Sequence, residues 1–430
     1  MTTDAQPHLP ANHRIHRTAL IALWAAVLIA LPIWMSLDKP GWDVAIYHRA
    51  VLAVAAGHDP YADAIAVQTA FHQLHIHNPH SNPGTDPPYS YVYSPITLTA
   101  LRALAHVPAL LTGIVYWLLY VLGVLAELWA GLWFARQHER RAFLFMVPVA
   151  AFFPGLLANG IVLSGNIAYI LYGAMLLAAV YAWRTGTWRW FYLAAVAASC
   201  VKAPLLSLIL LPALSARKQW LPAIATATLG FALFALQPLI WPDLFHHYLQ
   251  AVELQFSYNR DFGCSPAGLF SGYLFDHGRS YNPASLYLYA AYALPLFLAL
   301  LYLARLFHQG RFTLKQWVPV LLTGVILLNP RLIEYDVAPI TLPLALIAWR
   351  ALRLIPNRTT AIVIGSVAFA ALNAIALSSW DLRKLLDGPL LVILFVTGVA
   401  TLLYGSRTHD QPVGDQRVDW VPHPHRALCD

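Results

Sequence analysis

Charged side chains are scarce in this sequence. Asp, Glu, Lys and Arg together make up 11% of its 430 residues, whereas 59% are hydrophobic and the mean hydropathy is +0.57. A soluble protein of two or three domains needs many more charges to cover its surface. The composition therefore excludes that class and indicates a helical protein that crosses the membrane many times.

Cysteine is also rare. The three residues of this type, Cys200, Cys264 and Cys429, lie far apart in the chain, and no Cys-x-x-Cys pair occurs. A disulfide framework or a cysteine-based zinc site requires clustered cysteines. Neither kind of scaffold is available to this chain.

Motifs for nucleotide chemistry are missing as well. No two aspartates are separated by a single residue, and no Gly-x-Gly-x-x-Gly or other glycine-rich phosphate loop occurs. Asp-x-Asp commonly holds a divalent ion in enzymes that use nucleotide sugars, and glycine-rich loops bind nucleotide phosphates. Their absence counts against a nucleotide substrate.

Long apolar runs are what the sequence does have. Runs of about 17 to 25 residues, the length of a membrane-spanning helix, alternate with short polar pieces. The alternating segments of a β-barrel are not seen. We predict an all-α polytopic membrane protein of about twelve crossings, with helices near 18–37, 108–134, 142–158, 166–183, 190–200, 203–214, 219–241, 284–307, 316–329, 336–352, 359–377 and 389–404.

The basic residues lie in the short loops between these runs. They account for the net charge of +7 and the isoelectric point near 9.3. Because cytoplasmic loops are enriched in Lys and Arg, the pattern indicates membrane orientation, with no nucleic-acid partner. It places residues 1–17 and a disordered tail, 406–430, in the cytoplasm. The 18–37 segment lacks a cleavage site and is expected to be a retained helix.

The 190–214 stretch has the length of one helix but carries Lys202 and Pro204 in its middle. Arg189 and Arg217 fall on the same side only if this stretch enters the membrane and returns. We therefore predict a broken or re-entrant hairpin whose tip reaches the outer face, since irregular backbone at membrane depth occurs where it lines a cavity.

Two external loops are long, 38–107 and 242–283, and function concentrates in long loops on rigid scaffolds. The first is expected to contain an amphipathic helix from about Asp43 to Ala56 and an interfacial apolar stretch from Ile96 to Val107. The second carries an amphipathic stretch from Pro242 to Phe256.

Asp43 stands just after the first apolar run, and Tyr47 follows it on the same helical face. Together with later motifs, this resembles the membrane-embedded GT-C glycosyltransferases, most closely glycosyltransferase family 87. The motifs that carry the resemblance are Asp43-Val44-Ala45-Ile46-Tyr47, Gly57-His58-Asp59-Pro60-Tyr61, Tyr93-Ser94-Pro95, Gly165-Asn166-Ile167, Val201-Lys202-Ala203-Pro204 and Asn329-Pro330-Arg331.

The resemblance implies a GT-C-like domain over 18–405 and an inverting transfer of a hexose, expected to be mannose. The donor would be a polyprenyl-phosphate sugar, and the acceptor a hydroxyl of a glycolipid, polysaccharide or protein. Asp43 would be the catalytic base, on the outer side of a bacterial cytoplasmic membrane. A positioned carboxylate suits this role because the hydroxyl becomes acidic only as the new bond forms.

Lys202 and Arg331 are the expected ligands of the donor phosphate, since each ends an apolar segment beside a proline. The alternatives are snorkelling for Lys202 and neutralisation of Arg331 by Glu334 or Asp336. Family members often carry a histidine in this last external loop, whereas this chain has none between Arg331 and Asp336. Weaker substrate-binding candidates are Trp42, Tyr47, Tyr61, Tyr93, Asn166, Glu334, Tyr335 and Asp336; helix capping is the alternative for the last two.

Two further features have competing interpretations. His72, His75, His77 and His80 could share a metal, but irregular backbone around Pro79 and Pro83 favours a solvated or pH-sensitive loop, so no metal or other cofactor is expected. Glu127 lies inside an apolar helix, where an interhelical hydrogen bond or snorkelling is favoured over a proton relay.

The alternative functions are a secondary transporter or lipid-linked sugar flippase, and a non-catalytic scaffold. Many helices, the broken hairpin and Lys202 at membrane depth would suit a transporter. Transporters, however, keep external loops short and place charges in two matching halves. This chain gathers its polar residues in two external loops, which favours the enzyme.

Overall fold

The computed structural model describes residues 18–22, 25–26, 41–62, 65–66, 69–70, 91–104, 106–140, 142, 144, 162–254, 263, 265–266, 284–376 and 380–408. Every regular element within these ranges is helical, and a single bridge joins extended backbone at Gly263 and Leu332. The fold is thus all-α, as the sequence predicts.

The helices are, in chain order, α1 (Trp42–Ala55), α2 (Pro95–Leu104), α3 (Ala109–Phe134), α4 (Ala168–Thr185), α5 (Arg189–Val201), α6 (Leu210–Ser215), α7 (Trp220–Ile240), α8 (Pro242–Glu253), α9 (Ala284–His308), α10 (Leu314–Leu327), α11 (Glu334–Val337), α12 (Thr341–Leu352), α13 (Arg358–Ala376) and α14 (Trp380–Thr408). Two 3-10 segments, Ala203–Ile209 and Ala338–Ile340, precede α6 and α12.

Four helical stretches in the described ranges are long and apolar enough to cross a membrane: Ala109–Phe134, Trp220–Ile240, Tyr287–His308 and Leu386–Tyr404. Their outward faces are apolar; Leu110 on α3, for example, is 77% exposed and Leu239 on α7 is 78% exposed. Side chains of this kind are stable against lipid and costly in water. The chain is therefore a membrane protein, while the count of about twelve crossings stays a prediction.

Several helix bounds differ from the sequence prediction at prolines. The predicted helix 336–352 is divided into α11, a 3-10 turn containing Pro339, and α12, because proline lacks the N–H that an α-helical bond needs. Helix α14 begins at Trp380 and passes through Pro389, where a start was expected. It also continues to Thr408, beyond the predicted helix end at 404.

The predicted hairpin is present. Helix α5 ends at Val201, Lys202 has extended backbone, and the chain returns through the 3-10 segment and α6. The Tyr192 hydroxyl near the start of α5 donates to the Gln219 carbonyl oxygen beyond α6 at 3.3 Å, which brings the two ends of the hairpin together. Arg189 and Arg217 therefore share one end, and Lys202 is at the tip.

Contacts at the helix termini define two ends of the bundle. At one, the basic end, Arg350 of α12 donates to the Phe134 carbonyl oxygen at the end of α3 (3.5 Å). Lys315 at the start of α10 donates to the Ala135 carbonyl oxygen at 3.3 Å. At the other, the site end, Tyr116 near the start of α3 donates to the Gly165 carbonyl oxygen at 2.6 Å, just before α4. The basic loops thus gather opposite Asp43.

Helices α1, α2 and α8 form a small cap at the site end. Their apolar faces share a hydrophobic cluster separate from the main core. Ser94 anchors the cap by donating to the Cys200 carbonyl oxygen at 3.0 Å, and Ile96 N–H donates to Gln237 Oε1 at 3.1 Å. The cap therefore rests on the hairpin tip and on α7.

Some predictions fall outside the described residues. These are the cytoplasmic segment 1–17, most of the helices 18–37 and 142–158, the histidines at 72, 75, 77 and 80, much of the 242–283 loop after α8, and the tail beyond Thr408.

Candidate active site

The N-terminus of α1 is fixed to the segment that precedes α4. Gly41 N–H donates to the Leu163 carbonyl oxygen at 2.7 Å, and Asp43 N–H donates to the Ser164 carbonyl oxygen at 3.0 Å. The approach is close: Gly165 has φ +70°, and a Cβ there would lie 2.5 Å from Val44 Cγ2. Glycine is needed at 165 on both counts. Asp43 is thereby held at one place on the bundle.

The Asp43 carboxylate lies outside the candidate spans and is half-buried. Burial raises its pKa from 3.8 to about 6, against opposing effects from hydrogen bonds with Asn166 and Ser164 and from the charges of Lys202 and Arg331. At pH 7 the carboxylate is therefore mostly ionised, yet basic enough to accept a proton. A pKa close to the operating pH is what a general base requires.

Tyrosines form a wall beside this carboxylate. The Tyr47 hydroxyl accepts the Ile167 N–H at 3.2 Å and shares a 2.9 Å hydrogen bond with the Tyr93 hydroxyl. Asn166 Nδ2 donates to the same Tyr93 oxygen at 3.4 Å. Burial raises the pKa of Tyr47 and of Tyr93, and the Asp43 charge raises both further, so both phenols stay protonated.

Tyr61 lies behind this wall. Its side chain is fully buried, and its hydroxyl donates to the Tyr93 carbonyl oxygen at 2.6 Å. It therefore supports the backbone of Tyr93 from inside the cap. Trp42 is half-buried at the first position of α1.

Lys202 reaches across the site end from the hairpin tip. Its ammonium forms an ion pair with Asp336 and lies 4.2 Å from the centre of the Tyr335 ring. The second Asp336 oxygen accepts the Ile333 N–H at 3.2 Å, which caps α11, and the Tyr172 hydroxyl donates to Asp336 Oδ1 at 3.3 Å. Asp336 thus has the capping role that the sequence left open and also neutralises Lys202.

Arg331 stands on the loop between α10 and α11, with its side chain half-buried. The loop is held by the Gly263–Leu332 bridge and by the Ser265 hydroxyl, which donates to the Asn329 carbonyl oxygen at 3.2 Å. Its positive charge lowers the pKa of Asp43. Asp43 therefore lies within electrostatic range of both Lys202 and Arg331, although the three residues are far apart in the sequence.

The other candidates have clear positions. Tyr335 lies beside Lys202 and within electrostatic range of Arg331 and Asp43. Glu334 is buried at the first position of α11. His48 and Arg49 are exposed on α1, as expected for its outer surface.

Three site features were not foreseen from the sequence. One is Ser164, whose carbonyl oxygen accepts the Asp43 N–H and whose hydroxyl accepts the Asn166 N–H. The second is Tyr116, whose hydroxyl bond to Gly165 closes the α3–α4 side. The third is a hydrogen bond between Asp59 and His247, which joins the two long external loops. Of these three features, only Ser164 could have been suspected from the sequence, because it lies two residues before Asn166, which belongs to one of the motifs.

An apolar groove of about 630 Å³ opens beside the Arg331 loop. It lies along α9 and reaches Leu328 at the end of α10, where the Tyr289 hydroxyl donates to the Leu328 carbonyl oxygen. Its lining consists of Tyr289, Ala290, Ala291, Ala293, Leu294, Phe297 and Leu328. A hydrocarbon chain fits a lining of this composition.

Two other polar features stand apart from this site. Glu127 is buried in α3, and neither carboxylate oxygen has a hydrogen-bond partner within the described ranges. The interhelical bond and the snorkelling favoured for it are therefore not found there. The described residues also contain no group of three or more His, Cys, Asp or Glu side chains arranged to hold a metal ion.

No protein-family model matches the chain, and no curated protein matches it significantly.

Proposed function

We propose that the protein is an inverting membrane glycosyltransferase of the GT-C kind. It moves a hexose, expected to be mannose, from a polyprenyl-phosphate donor to a hydroxyl of a glycolipid, polysaccharide or protein acceptor. The observation that carries the proposal is the group of charged side chains at the site end. A half-buried carboxylate with a raised pKa lies there in the field of two cations, on a helical membrane scaffold.

In the proposed reaction the acceptor oxygen attacks the anomeric carbon while Asp43 takes the hydroxyl proton. The bond between the anomeric carbon and the phosphate oxygen breaks, and its electron pair leaves with polyprenyl phosphate. The sugar configuration is inverted because attack and departure occur on opposite faces. In each turnover Asp43 thus removes one proton from the acceptor hydroxyl and then releases it to solvent.

The developing phosphate charge needs a cation near the carboxylate. Arg331 supplies a planar set of donors suited to phosphate. Lys202 already has a carboxylate partner in Asp336, so the pair contributes little net charge. Arg331 is the principal phosphate ligand in this proposal because its guanidinium presents several donors in one plane, and Lys202 is the secondary ligand.

The arrangement of charge supports an external site. The basic loops meet at the end opposite Asp43, and Lys and Arg favour the cytoplasmic side. In a bacterial cytoplasmic membrane with this orientation, Asp43 faces outward. Donors with a lipid tail reach such a site from the bilayer, and the groove beside Arg331 offers an apolar path.

Replacing Arg331 by Gln is expected to raise the KM for donor by about 10- to 100-fold, because a hydrogen-bonded charge is lost. The acceptor KM should change little. Steady-state transfer of radiolabelled mannose from polyprenyl-phosphate mannose checks this. Arg353→Gln, at an exposed arginine beyond α12, is the matched control. A rise confined to the acceptor KM would reassign Arg331.

Lys202 needs a different variant, because removing it alone leaves the buried Asp336 carboxylate without its cation. The double change Lys202→Met with Asp336→Asn keeps the pair neutral. A smaller rise in donor KM than for Arg331→Gln is expected.

The pH dependence of transfer should report Asp43. Because its pKa is raised to about 6 and the base must be ionised, kcat/KM is expected to fall as pH drops through about 6. An ordinary aspartate would keep the rate constant down to about pH 4. Size-exclusion profiles at each pH exclude unfolding, and a lower limb near pH 4 would contradict the assignment.

Filling the groove should raise the KM of donors with a long polyprenyl chain and leave that of short-chain donors unchanged. Ala293→Trp is expected to raise the KM of a long-chain polyprenyl donor by about tenfold, since buried apolar contacts are lost. A donor with one or two isoprene units should be unaffected. Leu298→Trp, on an exposed face of α9, is the control. Equal effects on both donors would show that the groove does not bind the lipid chain of the donor.

A transporter or flippase is the second candidate, and the buried Lys202–Asp336 pair at a broken helix favours it. Purified protein in liposomes distinguishes the two. Movement of a solute or lipid-linked sugar across the bilayer, without release of polyprenyl phosphate, would favour transport.

A further inference from the structure

The motif Gly57-His58-Asp59-Pro60-Tyr61 has no part in the proposed reaction, but its fold connects it to the site. Gly57 has φ +76° just after the end of α1, and its N–H donates to the Val54 carbonyl oxygen at 3.1 Å. Asp59 Oδ1 then accepts the Tyr61 N–H at 2.9 Å, which forms an Asx turn around Pro60. Beyond this turn, the Tyr61 side chain is fully buried in the cap.

Helix α8, from the second external loop, contacts both ends of the Asx turn. His247 forms a hydrogen-bonded pair with the other Asp59 oxygen, Oδ2. The next residue on the helix, Tyr248, packs against Tyr61 with 6.0 Å between the ring centres. Helix α8 is itself held in place, because only Trp241 separates it from the long helix α7. Asp59 is thus fixed between its own turn and a separate helix.

From Tyr61 the contacts continue to the tyrosine wall. The Tyr61 hydroxyl donates to the Tyr93 carbonyl oxygen at 2.6 Å. The Tyr93 hydroxyl shares a 2.9 Å hydrogen bond with the hydroxyl of Tyr47, whose oxygen also accepts the Ile167 N–H at 3.2 Å. Tyr47 lies one helical turn after Asp43 on α1. A contiguous set of hydrogen bonds therefore runs from α8 to the wall beside Asp43.

We infer that His247 is a positioning residue that holds Tyr93 in place through the Asp59 turn. It acts through that turn and is not proposed to touch the reacting atoms. The inference rests on the proposed function only for the role of the tyrosine wall. In that reaction the donor phosphate lies at Arg331 and the acceptor hydroxyl at Asp43, so the wall beside Asp43 lines the acceptor.

A purely structural role and a positioning role for His247 predict different results. The pair of His247 with Asp59 is partly exposed, and pairs of this kind contribute little to stability. A structural role alone therefore predicts small and uniform changes. A positioning role predicts a change at Tyr93 and a selective loss in the use of the acceptor, since a displacement of about 1 Å can slow a reaction by about 10²-fold.

The first test needs no substrate. Tyr93 is replaced by 3-fluorotyrosine, and its fluorine NMR signal is recorded in purified protein. His247→Ala is expected to shift or broaden this signal, because the turn loses its anchor on α8. His247→Asn, whose amide nitrogen can take the place of Nδ1 as a donor, should restore the wild-type signal. His246→Ala, at the exposed neighbouring histidine, is the matched control and should leave the signal unchanged.

The second test is a double-mutant cycle in sugar transfer. His247→Ala is expected to raise the KM for the acceptor by about tenfold, the equivalent of one hydrogen bond, with little change in the KM for the donor. Tyr61→Phe removes only the hydroxyl bond to Tyr93 and should have an effect of similar size. Because both changes interrupt the same path, the double variant should be no worse than the more severe single variant.

An unchanged Tyr93 signal in His247→Ala protein would overturn the inference, and so would effects that multiply in the double variant. A changed signal that His247→Asn restores, in a protein that transfers no sugar, would support the positioning of Tyr93 by His247 and refute the proposed enzyme. If Tyr61→Phe does not fold, the fluorine signals of the two His247 variants still decide the question.

Discussion

Asp43→Asn is expected to slow sugar transfer by about 10²- to 10⁴-fold, because the acceptor hydroxyl loses the base that we propose for it. Asparagine has nearly the shape of aspartate, and the two backbone bonds that dock α1 do not involve the side chain. Donor binding should therefore survive, and the loss should appear in kcat. Asp243→Asn, at an exposed aspartate in the first turn of α8, should leave the rate unchanged.

Unfolding is not expected to explain that loss. The folded-state pKa of Asp43 is raised from 3.8 to about 6, so its protonated form stabilises the fold at low pH. This contribution is lost as pH rises from about 4 through about 6. The Asp43→Asn variant has no such pH dependence. Its free energy of unfolding, relative to that of the wild type, should therefore rise by about 1 kcal/mol over this pH window, after allowance for solvent screening. A lower Tm for Asp43→Asn at pH 7 would contradict this account of the site.

Arg350→Ala is expected to lower the free energy of unfolding by about 3–5 kcal/mol, the largest stability effect we foresee. Arg350 and Glu139 are both buried and form a two-pronged pair, with 2.9 Å from Nε to Oε1 and 2.8 Å from Nη2 to Oε2. Arg136 binds the same carboxylate at 2.7 Å. Burial alone would raise the Glu139 pKa, but bonds from Arg350 and Arg136 hold it well below its usual range.

The Arg350→Ala variant is less stable because the Glu139 carboxylate loses one of its two arginine partners. Contacts of Arg350 with the Lys315 and Phe134 carbonyl oxygens, which join α12, α10 and α3, are lost too. Thermal unfolding in detergent measures the effect. Arg353→Ala, an exposed neighbour, should cost less than about 0.5 kcal/mol. Equal unfolding of the two variants would show that the pair contributes little.

Apolar runs and basic loops were sufficient to predict much of the fold. The predicted helices 108–134 and 219–241 correspond to Ala109–Phe134 and Trp220–Ile240. The turn at Lys202 was also predicted, because proline and a charge inside an apolar run are costly unless the helix breaks there. These features follow from local composition, which the sequence shows directly.

Pairings across the bundle could not be predicted in the same way. Glu139 and Arg350 look like ordinary loop charges, and nothing near either indicates the other. The same is true of Lys202 and Asp336, since an ion pair between distant segments depends on how helices pack. Tyr61 shows a further limit: its motif does not reveal that its side chain is fully buried behind Tyr93.

The most direct test of the account is the stoichiometry of one reaction. Purified wild-type protein is given radiolabelled polyprenyl-phosphate mannose and a membrane extract, and both labelled product and free polyprenyl phosphate are measured. We predict equal amounts of the two from the wild type and almost none from Asp43→Asn, although the variant still binds the donor. Undiminished transfer by Asp43→Asn, or no transfer by the wild type with any acceptor in the extract, would contradict Asp43 as the base of a glycosyltransferase.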